Sequence, residues 1–338
     1  MQHEIVKSAA LLDKNGNIAE PGWARSLISR YSRVDIKAHP IRIKEWDYYL
    51  ISNDRFALAL TIADNGYMGL ISASVLDFEK PWEQTTSVMT AFPMGKYKLP
   101  ETSAAGITSY TDSRVNMRFG TANGVRHISC VFHKFLRDET LEAELTLTDE
   151  PQHSMVIATP FEKPKAFYYN QKINCMRSDG FMRLGGKTYD FSKEDSFATL
   201  DWGRGVWTYD NTWYWGNGNG TVNGHRVGFN IGYGFGDTSA ASENMIIYDG
   251  TAHKLSKVSF NIPADSYTKP WTFTSDDGRF EMDFVPVIDR AARTNALIIE
   301  SDQHQVFGRF TGKMVLDGGD VIELKDFMGF AEKVHNRY

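Results

Sequence analysis

Phe56-Ala57-Leu58-Ala59-Leu60-Thr61-Ile62-Ala63-Asp64-Asn65-Gly66-Tyr67 decides the fold class. Phe56, Leu58, Leu60 and Ile62 recur with a period of two and so share one face of a strand, while Ala57, Ala59 and Thr61 share the other. Asp64-Asn65-Gly66 supplies residues that tolerate the backbone of a tight turn, and a second strand runs from Tyr67 to Leu76. The pattern returns at Met245 to Tyr248, Asp249-Gly250 and His253 to Phe260. It returns again at Lys313 to Leu316, Asp317-Gly318-Gly319-Asp320 and Val321 to Phe327. Consecutive strands are therefore expected to be antiparallel neighbours. Helical signals are few: Pro21–Tyr31 and Ile288–Asn295 each predict a helix of two or three turns. No strand–helix alternation supports a parallel sheet.

The chain has 338 residues, which at roughly 150 per domain predicts two domains or one large β domain. Pro151, Pro160 and Pro164 are three of the eleven prolines; they interrupt continuous pairing and place the expected boundary near residue 165. The expectation is thus an all-β protein of two antiparallel lipocalin-like, calycin-type β-barrels in tandem, over residues 1–165 and 166–338, with few short helices.

Hydrophobic residues at 42% and charged residues at 23% describe a folded chain. A net charge of −5 offers no basic field for phosphates, so nucleic acid is excluded as a partner and anionic membrane surfaces are disfavoured. No run of about 18 apolar residues occurs, so no integral membrane segment is expected. The N-terminus lacks a basic segment followed by an apolar run, and the two cysteines, Cys130 and Cys175, read as free thiols, which together predict a cytoplasmic protein. The sequence leaves the oligomeric state open.

Four of the eight tryptophans fall between Asp201-Trp202-Gly203-Arg204-Gly205-Val206-Trp207 and Trp213-Tyr214-Trp215. Flat aromatic walls beside a fixed charge suit a ligand pocket. The competing reading is that the rings fill a barrel and that Asp201 and Arg204 form a satisfied ion pair. Next, Val227, Phe229, Ile231, Tyr233 and Phe235 alternate with Gly228, Asn230, Gly232 and Gly234. A nearly bare strand face means that something approaches closely, either a ligand or the indoles of the preceding strand. Asn230 is the polar group on that face, and Glu243 and Asn244 arrive just before the following strand. The candidate catalytic residues are Asp201 and Glu243, as general acids whose pKa burial would raise. The candidate substrate-binding residues are Trp202, Arg204, Trp207, Trp213, Trp215, Asn230 and Asn244.

Other signals weigh less. His127 and His133 share a strand face that Cys130 points away from, so no metal site is expected, and no motif calls for a cofactor. Gly216-Asn217-Gly218-Asn219-Gly220 has the letters of a phosphate loop but no following helix, and reads as a hairpin tip. An inward Glu332 would need a partner such as Arg204 or Arg290.

These segments, with Asp249-Gly250, Gln305-Val306-Phe307-Gly308 and the closing Gly329-Phe330-Ala331-Glu332, resemble the bacterial proteins grouped as domain-of-unknown-function family 2804, along nearly the whole chain. More distantly the pattern is similar to the AttH-like or hydroxyneurosporene synthase superfamily, whose members pack two lipocalin-like barrels together. Those members include carotenoid hydratases, tocopherol cyclases and fungal Diels–Alder cyclases. The resemblance implies a tandem-barrel fold and a pocket for an apolar or amphipathic small molecule; it carries no catalytic residue onto this sequence. Three functions stay open: a hydratase, isomerase or cyclase acting on an apolar or isoprenoid-like molecule, a non-catalytic binder of such a molecule, and a carbohydrate-active protein using tryptophan platforms and paired carboxylates.

Overall fold

A computed structural model describes residues 2–296 and 299–337. Among these residues the first sheet comprises β1 (Gly22–Ala24), β2 (Ile43–Ser52), β3 (Phe56–Asp64), β4 (Met68–Asp77), β5 (Trp82–Ala91), β6 (Gly106–Thr111), β7 (Val115–Ala122), β8 (Val125–Leu136), β9 (Glu139–Thr148), β10 (Met155–Pro160), β11 (Phe167–Leu184), β12 (Lys187–Phe191) and β13 (Phe197–Val206). The second comprises β14 (Asp210–Val222), β15 (His225–Tyr233), β16 (Met245–Tyr248), β17 (Thr251–Lys254), β18 (Val258–Asn261), β19 (Trp271–Ser275), β20 (Phe280–Ala296), β21 (Ile299–Val315) and β22 (Val321–Arg337). Every pairing between these strands is antiparallel, and both sheets curl into lipocalin-like half-barrels. In the first, Thr86 of β5 reaches across to the Phe135 carbonyl of β8 at 2.6 Å. In the second, Phe260 of β18 packs edge-on against Tyr214 and Tyr233.

The hairpin that decided the class is present: Ile62 faces Ile71, and the Gly66 amide donates to Asp64 Oδ1 at 2.9 Å with φ +79°. The other two hairpins form at β16–β17 and β21–β22. The second arm of the former is shorter than expected. His253 to Phe260 is not one strand, because the chain leaves β17 at Lys254 and re-enters at β18 on the opposite edge of the sheet.

Neither expected helix forms. Within Pro21–Tyr31, Trp23 lies in a strand paired with Ile157, and its amide is taken by the His3 carbonyl at 3.0 Å. Ile288–Asn295 lies inside β20 and pairs along β21. Tertiary pairing overrode a weak local preference in both places. The described residues hold two 3₁₀ turns, Arg33–Asp35 and Pro40–Arg42, and no α-helix. Residue 165 precedes β11, which with β13 still belongs to the first sheet, so the chain changes sheets only between Val206 and Asp210. The three prolines mark the borders of β10 and its loops instead.

Each barrel has its own apolar interior: Leu58, Leu60, Ile62 and Ile71 in the first, Phe229, Phe273, Phe284 and Phe310 in the second. The faces turned away from those interiors are also buried, because the sheets pack against each other. Ala57, Ala59 and Tyr48 of the first sheet meet Trp215, Phe307 and Phe330 of the second. The small residues on the outer face of the opening stretch are therefore packing residues, where a solvated sheet would carry polar ones.

Glycines make this contact possible at two places. A Cβ on Gly203 would overlap the indole of Trp46, which lies across the outer face of β13. Gly203→Ala is expected to cost about 1–3 kcal/mol by forcing Trp46 off its site, read as a lower urea midpoint at unchanged m-value. At Gly232, a Cβ would stand 3.1 Å from the carboxyl of Glu243. The bare face of β15 thus admits the Glu243 carboxyl at Gly232, while the indole of Trp215 from the preceding strand reaches Asn230 on the same face.

Candidate active site between the two sheets

Strand periodicity splits the Asp201–Val206 cluster in two. Trp202 and Arg204 point into the first barrel, while Asp201 points out toward the second sheet. Inside, Arg204 is fully buried and donates to Asp47 Oδ1 at 3.0 and 3.1 Å and to the carbonyls of Trp46, Gly203 and Pro100 at 2.8 Å each. Its Nε lies 3.8 Å from Glu45, which also accepts from Tyr31 at 2.7 Å and pairs with Arg33. The guanidinium stacks 4.1 Å from the Trp202 ring centroid. Arg204 therefore pairs with Glu45 and Asp47, and neither Asp201 nor Glu332 is its partner.

On the outer face, Asp201 Oδ1 accepts from Lys172 Nζ at 2.9 Å and from Asn170 Nδ2 at 2.6 Å. The ammonium of Lys172 sits 4.0 Å over the ring of Trp215. Trp215 donates its indole N–H to Asn230 Oδ1 at 2.6 Å, and Asn230 donates to the Glu243 carbonyl at 2.7 Å. Asp201, Trp215, Asn230 and Glu243 are thus brought together, with Lys172 among them. Asn244 stands behind and braces the approach to β16: its Oδ1 accepts from the Gly232 amide at 2.6 Å and its Nδ2 donates to the Ser256 carbonyl at 2.7 Å. The Glu243 carboxyl is pushed up by burial, opposed by the charge of Lys172 and raised further by that of Asp201.

A second carboxyl enters from β22. Glu332 accepts from Trp213 Nε1 at 3.1 Å and from Gln305 Nε2 at 2.9 Å. Burial pushes it up to about 7, against the lowering effects of the Trp213 hydrogen bond and the charges of Arg290 and Lys172. Arg290, the partner expected from the sequence, spends its Nη1 on Ser74 at 2.9 Å and acts on Glu332 by its field. Around these groups, Asn170 Oδ1 is buried without a hydrogen-bond partner, and the buried Tyr48 hydroxyl and Gln305 side chain lie against each other. The Tyr48 hydroxyl is pushed up to about 12 by burial. Buried polar atoms are nearly always satisfied, so Asn170 Oδ1, whose amide group donates to Asp201, is an acceptor left open at the junction.

Trp207 and Trp213 belong to an aromatic cluster at the same junction. Phe235 meets Trp207, Trp213 and Tyr168 at ring-centroid distances of 4.8, 5.3 and 4.7 Å, and Trp46 stacks on Tyr168 at 6.1 Å. An asparagine and threonine network extends the junction: Asn219 donates to Thr199 at 2.7 Å, Thr199 donates to Asn217 at 2.8 Å, and Asn174 donates to Asn219 at 2.8 Å. The apparent phosphate loop is therefore an inter-sheet contact. Its asparagines face the first sheet while Gly218 and Gly220 make room for Phe327.

Sequence reasoning missed Lys172, Tyr48, Gln305 and Glu332 as members of this site. The signal for Lys172 was present, since Asn170, Lys172 and Asn174 alternate with Tyr169, Gln171 and Ile173, a polar outer face in a strand buried on both sides.

Glu332 has a measurable consequence for stability. Its folded-state pKa exceeds the ordinary 4.5, so the native state holds the proton more tightly than the unfolded chain. The associated stability is complete below that range and is lost as pH rises through about 7. Wild type should lose roughly 3 kcal/mol relative to Glu332→Gln on going from about pH 4.5 to above about pH 7, as read by urea unfolding of both proteins. Parallel stability profiles would remove the raised pKa.

A family profile described as Domain of unknown function (DUF2804) matches residues 2–338. No curated protein matches the sequence. Among solved structures, an AttH-like protein from Nitrosomonas europaea superposes with a TM-score of 0.50 at 11% identity, covering 90% of this chain and 96% of that one; at this identity the likeness shows the fold. Kievitone hydratase from Nectria haematococca gives a TM-score of 0.47 at 10% identity over 98% of both chains, and CghA gives 0.47 at 11% over 100% and 97%.

Proposed function

The chain belongs to the DUF2804 family, and from the junction of its two sheets we propose an enzyme of hydratase, isomerase or cyclase type acting on an apolar small molecule. The observation that carries this reading is Glu332, a carboxyl walled by aromatic rings, held by Trp213 and Gln305 and poised near neutrality. A general acid is most effective when its pKa lies near the working pH. Glu332 takes the role that the sequence offered to Asp201. Asp201 is instead an ion-paired group that fixes Lys172.

The protonated Glu332 donates its proton to a substrate alkene or carbonyl. The positive charge that develops lies against the carboxylate left on Glu332 in a buried site. In a hydration, water then bonds to the cationic carbon and its proton returns to Glu332 or passes to Glu243, so the net change is addition of water. In an isomerisation or cyclisation the same carboxylates accept the proton lost from carbon. Tyr48, Asn170 and Gln305 are the polar side chains placed to hold a water or a polar end of the substrate.

This reading is favoured over a sugar platform because Trp213 and Trp215 are already engaged. Their N–H groups bond Glu332 and Asn230, and their rings pack against Phe235 and Phe330. A non-catalytic carrier needs no carboxyl with a raised pKa. The buried free thiols of Cys130 and Cys175 support a cytoplasmic location.

Native mass spectrometry of the protein from its own host, followed by extraction and identification of the bound small molecule, supplies the substrate class. Turnover of that molecule is then measured in Glu332→Gln and Glu243→Gln. Unchanged turnover in both variants would remove these two carboxyls as the proton donor, and no turnover by wild type would sink the enzyme reading and leave the carrier.

A further inference from the structure

The rim of the first barrel exposes apolar side chains that no core requires. Val34 is 83% exposed, Phe92 52% and Met94 38%, with Met89 at 63% on the strand leading in. They lie on adjoining segments. The Arg33 guanidinium packs against Gly95, and the Arg33 amide donates to Glu101 at 3.0 Å, which sets Val34 beside the Phe92–Lys98 loop. We propose that this rim, with Lys96 and Lys98 beside Phe92 and Met94, docks onto the surface of an anionic lipid bilayer.

The loop is held in shape. The Phe92 amide donates to the Tyr67 carbonyl at 2.9 Å, the Gly95 amide to Asp64 Oδ2 at 2.6 Å, and Pro93 and Leu99 are buried as anchors. Phe92, Met94 and Lys98 have φ of +49°, +46° and +51°. Left-handed backbone at three non-glycine residues is unfavourable and persists only where surrounding structure enforces it. Here it accompanies an outward presentation of Phe92 and Met94, whereas simple packing would have turned them in. Exposed apolar groups rimmed by polar ones mark an interaction surface.

Local charge selects the partner. Of the charged side chains in residues 31–45 and 89–101 that reach the surface, five are basic, Arg33, Lys37, Arg42, Lys96 and Lys98, and two acidic, Asp35 and Glu101, in a chain of net charge −5. Apolar tips within a basic rim match a bilayer of acyl chains under anionic headgroups. The rim also adjoins the aromatic cluster of the junction. Lys44 Nζ lies 4.7 Å from the Tyr67 ring and 5.7 Å from that of Trp207, and Arg42 hydrogen-bonds the Trp207 carbonyl. The inference rests on the rim alone and stands whatever reaction the junction performs.

The test is co-sedimentation of the full chain with phosphatidylcholine vesicles and with vesicles containing about one third phosphatidylglycerol, at low and high salt. Wild type should partition onto the anionic vesicles and release at high salt. Lys96→Gln and Lys98→Gln should each weaken partitioning about fivefold, and Phe92→Ser with Met94→Ser about tenfold or more. All four positions are exposed, so unchanged circular dichroism confirms that the variants are folded. Failure of wild type to bind anionic vesicles, equal binding by the variants, or a rim that serves only self-association in the absence of lipid would each overturn the proposal.

Discussion

Arg204→Ala lowers the stability of the protein by about 3–5 kcal/mol, because it strands Asp47 and Glu45 as buried carboxylates without their cation. Urea unfolding measures the loss. The guanidinium is fully buried and takes part in five hydrogen bonds, two to Asp47 and three to backbone carbonyls. Arg204→Ala combined with Asp47→Asn should recover part of the loss, since one stranded charge has gone. A substrate-binding arginine would behave in the opposite way, leaving the fold intact and impairing ligand binding. An Arg204→Ala protein as stable as wild type would therefore return this residue to the functional site, and Arg204 would no longer count as the cation that holds the first-barrel network together.

Glu332→Gln lowers turnover of the extracted substrate by about 10²- to 10⁴-fold, the usual contribution of a general acid. The fold survives, because Gln retains an acceptor for Trp213. The pH profile separates a proton donor from a residue that merely packs. The wild-type rate should hold at low pH and fall as Glu332 ionises above about 7, whereas the residual activity of the variant should lack that limb. A reduced rate with an unchanged falling limb would assign the acid elsewhere. Glu243 is the alternative, since its carboxyl is also pushed up by burial. Trp213→Phe isolates the positioning contribution. It removes the 3.1 Å hydrogen bond that stabilises the Glu332 carboxylate, so the falling limb should move to higher pH, with a smaller loss of rate than Glu332→Gln.

The local chemistry of the fold was legible in the sequence. Period-two alternation at Phe56–Ile62 and the turn residues at Asp64–Gly66 specify a hairpin wherever they occur, because side-chain direction and turn backbone are decided within a few residues. The two helices were misread for the complementary reason. Around Trp23 and in Ile288–Asn295 local preference is weak, and the partner strands β10 and β21 decided the outcome. Much of the site was legible as a set of residues. Asp201, Trp213, Trp215, Asn230 and Glu243 do meet, and Gln305 and Glu332 stood in the motifs that carried the family resemblance.

Local residue order encodes the β class, several of the turns and the clustering of four of the eight tryptophans between residues 202 and 215. Tertiary structure decided which face each of them serves. Trp202 and Arg204 differ from Asp201 only by the alternation of one strand, yet that alternation sends them into a barrel and Asp201 into the junction. Glu332 acquires its raised pKa only because β22 buries it between the two sheets, and Lys96 and Lys98 come beside Arg33 only because folding brings the two segments together. Strand periodicity is a short-range property of the backbone, whereas burial and electrostatic environment depend on residues far apart in sequence that come together only when the sheets curl and pack.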